Sequence, residues 1–321
     1  MPQEQKSEIR VNYVHNQTVI IAPGRSKRPH NFTQTVPRVV EKKDCPFCHE
    51  SLDSQKALVT VGRNPWQVKV LANKYPIVST DNQDVYGRQE VIIETPDHDV
   101  ELAELDVERL TTILGVFAQR VRVLEKDKRI NYILIFKNNG GKAGASIDHA
   151  HSQIFASEFL PPHVLGKLKR AEEYEIRRGV CYYCNLIQSE MKGPRWISSD
   201  ALTAAFTPYA SSYNYEAWVF PRRHVDNITG LTKLELHSMA HTLKRILERL
   251  NDINIPYNFY LHQVVHYKYE HLYLRICPRR DTWAGLELGS RLIVNTVAPE
   301  EAAKFYRTLP RKRKLLLKMQ S

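Results

Sequence analysis

Two residue types recur in one fixed order along this 321-residue chain. Cys45, Cys48, His98 and His149 come first, and Cys181, Cys184, His224 and His271 repeat the pattern. Four thiolate and imidazole donors close a tetrahedral zinc shell, so each set reads as a structural zinc site, two Zn2+ per chain. One Cys-x-x-Cys alone is weak evidence for metal. Two of them, each followed by two equivalently placed histidines, are much stronger. Buried thiols in a reducing cytosol are the plain alternative, and they give no reason for the histidines to recur. His49, next to Cys48, has no counterpart, because Asn185 follows Cys184.

The chemistry concentrates between Gly144 and Phe155, a run that contains His149-Ala150-His151-Ser152-Gln153. Side chains alternate along a strand, so His149, His151 and Gln153 share one face. With His149 spent on metal, His151 keeps a free imidazole, which is a competent nucleophile toward phosphorus. The preceding Asn138-Asn139-Gly140-Gly141 segment offers backbone N–H groups for phosphate oxygens, and Ser146 adds a hydroxyl. Gln153 does not titrate and cannot protonate a poor leaving group. The expected reaction therefore passes a nucleotidyl group between two phosphates and does not hydrolyse it. In the second copy the corresponding residues are His271, Tyr273 and Arg275, so only the first half is expected to be catalytic.

The elements that must carry these residues are duplicated as well. The offset between His98 and His224 also carries Leu110, Ile113, Phe117, Val121 and Leu124 onto Leu236, Met239, Leu243, Leu247 and Leu250. Each set has the spacing of one apolar helical stripe. Asp106 and Thr232 are the expected N-caps, and Glu235 completes a capping-box pattern with Thr232. Strand-like runs follow at Asn131 to Phe136 and Asn258 to Val265, and each leads to the histidine-bearing strand of its half. The expected fold is a duplicated α+β unit: a hairpin, a strand, a helix, then two more strands, twice. The connection from Glu158 to Val180 is expected to be helical over Leu165 to Ile176.

Composition narrows the class. Lys and Arg number 46 against 35 Asp and Glu, a net charge of +11, and 42% of residues are hydrophobic. That is too apolar for a disordered chain. Five cysteines, four of them in the two pairs, argue against a disulfide scaffold. Cys277, left over, reads as a small buried hydrophobe. No apolar run approaches the about 20 residues that span a bilayer, and the first ten residues are polar, so a cytoplasmic protein off the membrane is expected. Much of the positive charge falls in the tail, at Arg311, Lys312, Arg313, Lys314 and Lys318. A nucleic-acid module would place charge on a helix or an aromatic-laced strand, and would leave the Gly144 to Gln153 run unexplained.

The His149-Ala150-His151-Ser152-Gln153 segment resembles the His-x-His-x-Gln motif of the galactose-1-phosphate uridylyltransferases, in the histidine-triad superfamily. Val19-Ile20-Ile21-Ala22-Pro23-Gly24-Arg25-Ser26-Lys27-Arg28-Pro29 is similar to that family's N-terminal signature. Asn73-Lys74-Tyr75-Pro76 resembles its segment near the nucleoside, and Gly285-Leu286-Glu287 its segment near the hexose. The paired metal sets resemble the two-zinc branch. The chain departs from the pattern at Ala150, where proline is usual, at Ser152, where glycine is common, and at Leu286, where an aromatic is usual.

The resemblance implies two tandem histidine-triad-like units: residues 1–157 catalytic, 158–180 a linker helix, and 181–321 a degenerate unit with the basic tail. It implies that UDP-glucose uridylylates His151 and releases glucose 1-phosphate, and that galactose 1-phosphate then takes the uridylyl group. Gln153, Arg25, Arg28, Asn138 and Ser146 would meet phosphates, Asn73 the nucleoside and Glu287 the sugar. It further implies a homodimer in which Arg25, Arg28 or Glu287 act across the interface. A sister branch takes ADP-glucose with inorganic phosphate as acceptor, and the same catalytic strand serves both.

Overall fold

The computed structural model describes residues 7–23, 42–48, 52, 56–63, 65–265 and 267–308. Arg25, Arg28 and the basic tail lie outside the described residues. The strands are β1 (Glu8–Asn12), β2 (Gln17–Ile21), β3 (Val59–Val61), β4 (Val68–Ala72), β5 (Gly87–Ile93), β6 (Tyr132–Asn139), β7 (His151–Ser157), β8 (Trp196–Ser199), β9 (Thr203–Phe206), β10 (Ala217–Pro221), β11 (Tyr257–His262), β12 (Tyr273–Pro278) and β13 (Ile293–Asn295). The helices are α1 (Val107–Leu124), α2 (Pro162–Arg178), α3 (Tyr182–Glu190), α4 (Lys233–Asp252), α5 (Gly285–Ser290) and α6 (Pro299–Arg307).

Ten described strands form one sheet in the order β3-β4-β5-β7-β6-β11-β12-β10-β9-β8. Each strand left of centre has its duplicate at the mirrored place, so the sheet is the same five-strand unit used twice. Both units follow the expected sequence of hairpin, strand, helix and two strands. The two halves meet where β6 pairs antiparallel with β11, Asn258 opposite Asn138 and Tyr260 opposite Phe136. Joining the units through their last hairpins removes two edges that would otherwise be unpaired.

One face of the sheet is covered by α1 and α4, which pack on each other. Every residue of both expected helical stripes is buried there, against Ile133, Ile135, Ile154, Phe259, Leu274 and Ile276 in one continuous core. Asp106 caps α1 by accepting from the Arg109 N–H at 2.7 Å, and Thr232 with Glu235 closes the capping box of α4. A buried bidentate pair, Arg120 to Glu90 at 2.7 and 2.8 Å, fixes α1 over β5.

The structure refines the sequence reading in three places. β6 runs on to Asn139, so Asn138 is a strand residue, and the loop proper opens at Gly140 with φ of 80°. The helix expected over Leu165 to Ile176 begins at Pro162, whose fixed φ suits a first turn, and ends before Gly179, left-handed at φ 69°. Finally, β2 pairs with β1 antiparallel and with β13 parallel, forming a three-stranded sheet between the start of the chain and the end of the second unit. That non-local pairing has no repeat to betray it.

Phe117, fully buried at the centre of α1, tests the shared core. Phe117→Ala should lower unfolding free energy by about 3–5 kcal/mol in urea titrations, whereas Val123→Ala, on the exposed side of the same helix, should leave the midpoint within error.

Candidate active site and metal centres

The first Cys/His set converges from three elements. A turn before β3 brings Cys45 and Cys48, the segment after β5 brings His98, and the approach to β7 brings His149. Cys45 Sγ lies 3.6 Å and Cys48 Sγ 3.8 Å from His149 Nδ1, and Cys48 Sγ lies 3.3 Å from His98 Nδ1. In the second set Cys184 Sγ lies 3.6 Å from His224 Nδ1 and 3.5 Å from His271 Nδ1. All four donor atoms of each set fall within 4.8 Å of one another. Bonds of about 2.0–2.3 Å at tetrahedral angles would separate sulfur from nitrogen by about 3.5 Å, so both sets fit one metal ion.

The outer hydrogen bonds agree with that fit. His149 Nε2 donates to Thr95 O at 2.8 Å, His224 Nε2 to Lys268 O at 2.8 Å, and His271 Nε2 to Pro221 O at 3.0 Å. A carbonyl can only accept, so each Nε2 carries the proton and each Nδ1 keeps its lone pair for a metal. Around Cys181 the Cys184 thiol, then His224 and His271, favour the thiolate and lower its pKa.

His151 stands at the start of β7, only 6% exposed. Its Nδ1 is 2.8 Å from the carbonyl oxygen of His149. The same reasoning fixes the proton on Nδ1 and leaves Nε2 with a free lone pair. Burial, and then the nearby Lys137 ammonium, push the His151 pKa down to about 4, which keeps the ring neutral near pH 7. Phe47, held in the Cys45–Cys48 turn with its N–H on Cys45 Sγ, sets its ring 5.2 Å from that of His151. The Cys45–Cys48 turn therefore also walls the imidazole.

Beneath β7 lies a cluster that sequence reasoning missed. Lys137 Nζ meets Glu94 at 2.7 Å and Glu101 at 3.1 Å, and reaches His151 O at 3.4 Å. Ser152 Oγ donates to Glu94 at 2.5 Å. A signal did exist: period-two alternation puts Lys137 on the core side with Ile133 and Ile135, where a lone cation demands a buried partner. On the open face Phe136 pairs with Gln153; the Lys137–Ser152 pair next along faces the core, and Asn138 follows on the open face, opposite His151. Gln153 is half-buried beside His151 on this face, Asn73 is half-buried at the end of β4, and Ser146 is exposed in the loop.

In the second unit the corresponding face is filled. Tyr273 is fully buried with its hydroxyl 2.9 Å from His15 Nε2, and Arg275 is locked to Glu216 at 2.6 Å. α2 lies over them, and its Lys167 reaches Glu270 at 2.7 Å and His262 Nδ1 at 3.0 Å. No open nucleophile remains in that cleft among the described residues.

Residues 1–161 match the family model described as the N-terminal domain of galactose-1-phosphate uridyl transferase. The chain is 30% identical to the ADP-glucose phosphorylase of Arabidopsis thaliana, over 95% of this chain and 93% of that protein. It is 26% identical to the galactose-1-phosphate uridylyltransferase of Thermotoga maritima, over 92% and 96% respectively. The chain belongs to the galactose-1-phosphate uridyl transferase family. The crystal structure of the Arabidopsis phosphorylase with bound ADP-glucose superposes with a TM-score of 0.84, at 29% identity over 95% of this chain and 99% of that one. A uridylyltransferase structure superposes at 0.74, with 27% identity over 94% and 97%.

Within this family fold, Glu287 sits on α5, where its carboxylate accepts the Ala284 N–H at 2.9 Å and caps its own helix. No contact among the described residues brings it to His151. Arg25 and Arg28 fall outside the described residues, so the N-terminal signature can be followed only as far as β2 and Pro23.

Two outcomes follow from this geometry. Elemental analysis of the purified chain should find two equivalents of divalent metal, and Cys48→Ser or Cys184→Ser should each remove one. Stability should also depend on pH in a stated direction. His15 and His262 are held well below the ordinary histidine pKa, by burial first and then by Lys167 and Arg275. They stay neutral when folded, while the unfolded chain takes up protons below about pH 6.5. Stability is therefore full above that pH and falls below it by about 1.4 kcal/mol per pH unit for each histidine. Calorimetry in two buffers should record proton uptake on unfolding at pH 5.5 and little at pH 8.

Proposed function

We propose that this chain is a nucleotidyltransferase that works through a covalent adduct on His151, moving UMP from UDP-glucose to galactose 1-phosphate. The observation that carries the reading is the state of the His151 ring: neutral, walled by Phe47, with Nδ1–H tied to the His149 carbonyl and Nε2 free. Nε2 attacks the phosphorus nearest the nucleoside and forms a P–N bond. The P–O bond to the outer phosphate breaks, and its electron pair leaves on glucose 1-phosphate. A phosphate monoester titrates near about pH 6, so that leaving group needs no proton. Gln153, which can donate a hydrogen bond but no proton, suits such a group. The ring of the adduct is cationic, and the His149 carbonyl that accepts from Nδ1 stabilises it. An oxygen of the acceptor phosphate then attacks the same phosphorus and returns the Nε2 lone pair.

The site residues take the roles the family resemblance implies: Gln153, Asn138, Ser146, Arg25 and Arg28 toward phosphates, and Asn73 toward the nucleoside. Zinc suits both Cys/His sets, because soft thiolates with imidazoles are its preferred donors and Nδ1 of His149, His224 and His271 already keeps its lone pair. Bound there, it supplies a rigid cross-link of the Cys45–Cys48 turn to His149 and no redox chemistry. The proposed organisation is a catalytic unit at 1–157, a linker at 158–180 and a degenerate unit at 181–321. A cytoplasmic homodimer would let Arg25, Arg28 or Glu287 act in trans.

A second reading is favoured by a specific observation. Glu287 is engaged in its own helix cap and Leu286 beside it is not aromatic, which weakens the case for a hexose contact. ADP-glucose as donor with inorganic phosphate as acceptor would need a hexose contact in the donor step only and none in the acceptor step, and the 30% identical Arabidopsis relative bears that activity's name. Both readings share the adduct. Incubation with UDP-glucose or ADP-glucose labelled in the phosphate nearest the nucleoside, then denaturation, should leave acid-labile label on His151 and none in His151→Asn. Absence of label from both donors overturns the mechanism, and turnover with galactose 1-phosphate against phosphate chooses the acceptor.

A further inference from the structure

Two side-chain amides face the place where the phosphoryl group must sit, those of Gln153 and Asn138, and an amide can present either of two opposite ends. The C=O end would turn a lone pair toward anionic oxygens, and the NH2 end a donor. Which end is presented is fixed here by backbone groups that have no choice of role.

Beside Gln153 on the same face of the sheet lies Gln89 of β5. The Ile77 N–H, which can only donate, reaches Gln89 Oε1 at 3.1 Å. That places the Gln89 NH2 at the other end, where it meets Gln153 Oε1 at 3.3 Å. With its carbonyl oxygen so engaged, Gln153 turns its NH2 away from Gln89, into the open face beside His151. An equivalent device stands across the site. Asn258 of β11 sits opposite Asn138 in the register that joins the two units. Its Nδ2 donates at 2.7 Å to Ala143 O, a carbonyl that can only accept, and at 2.7 Å to Asn138 Oδ1. Both protons of that NH2 are used, so Asn138 must offer oxygen to Asn258 and keep its own NH2 for the site.

We infer that Gln89 and Asn258 are positioning residues that aim the NH2 groups of Gln153 and Asn138 at the transferred phosphoryl group. The inference rests on the proposed transfer at His151. Neither residue needs to touch substrate. Asn258 also gives the second unit a part in the chemistry that its own filled cleft lacks, because it ties both Asn138 and the Gly140–Gly144 loop from across the β6–β11 pair.

The test compares Gln89→Glu with Gln89→Leu in single-turnover labelling of His151. Glutamate can accept from the Ile77 N–H and from the Gln153 NH2, so it keeps both contacts but turns the Gln153 amide round. Leucine loses both contacts and leaves the amide unbiased. A purely structural Gln89 makes leucine the worse change. The inference expects the reverse: a loss of about 10²-fold for Gln89→Glu, the scale of removing one oriented transition-state donor, and a smaller loss for Gln89→Leu. A double-mutant cycle separates orientation from the added negative charge. In a Gln153→Leu background there is no amide to turn, so the further cost of Gln89→Glu should vanish. If it persists, or if leucine is the worse change, the inference is overturned. The wild-type chain failing to label His151 overturns the parent reading instead. The same cycle with Asn258→Ala and Asn138→Leu should show the cost of the first change shrink in the second background to what the lost bond to Ala143 O accounts for; an undiminished cost overturns the role of Asn258.

Discussion

The site depends on one short piece of backbone, from His149 to His151. The ring of His149 turns its Nδ1 toward two cysteines while its carbonyl accepts the hydrogen bond that His151 Nδ1–H donates. The group that anchors the strand and the group that sets the tautomer of the proposed nucleophile therefore belong to a single residue. A metal at the first Cys/His set would fix that carbonyl, and through it the direction of the His151 lone pair. Below the strand, Lys137 touches the His151 carbonyl while two carboxylates hold its ammonium in place. His151 is thus restrained from the side of the Cys/His set and from beneath.

Duplication explains both the size of the sheet and its asymmetry. Two copies of one unit, paired through β6 and β11, share a single helical core. The faces away from that core have diverged. In the first unit that face carries a neutral histidine and an untitratable glutamine. In the second, the same positions hold Tyr273 and Arg275, and α2 lowers Lys167 onto them. Burying that many charges is tolerated because each has a partner, Arg275 with Glu216 and Lys167 with Glu270. The face that is open in the first unit is packed interior in the second.

Much of this was legible in the sequence because repetition is a strong signal. The two Cys/His sets, the two apolar stripes and the caps at Asp106 and Thr232 could be found by laying one half over the other. What escaped has no internal copy. The β1-β2-β13 sheet joins segments from opposite ends of the chain, and Lys137 differs from its counterpart in the second half. The roles of Gln89 and Asn258 depend on register between strands, which a linear pattern does not encode. Glu287 carries two signals at once: a motif match draws it toward substrate, and locally it stands three residues after Ala284, the place from which an acidic side chain caps a helix.

Gln153 links these features to the choice of reaction. A titratable group in its place would have to be held at a useful pKa on a strand whose other face packs on the buried Lys137 ammonium. An amide carries no charge, so its contribution is set by orientation alone, and orientation is what a rigid sheet controls well. The cost falls on substrate scope. Without a proton donor, only leaving groups stable as anions near neutral pH can depart, and phosphates meet that condition while alkoxides and amines do not. Water as acceptor is disfavoured for the same reason in reverse, since it must lose a proton that Gln153 cannot take. In the proposed mechanism, phosphate-to-phosphate transfer is what an amide standing beside a neutral imidazole suits, and the argument is the same whichever nucleoside the donor carries.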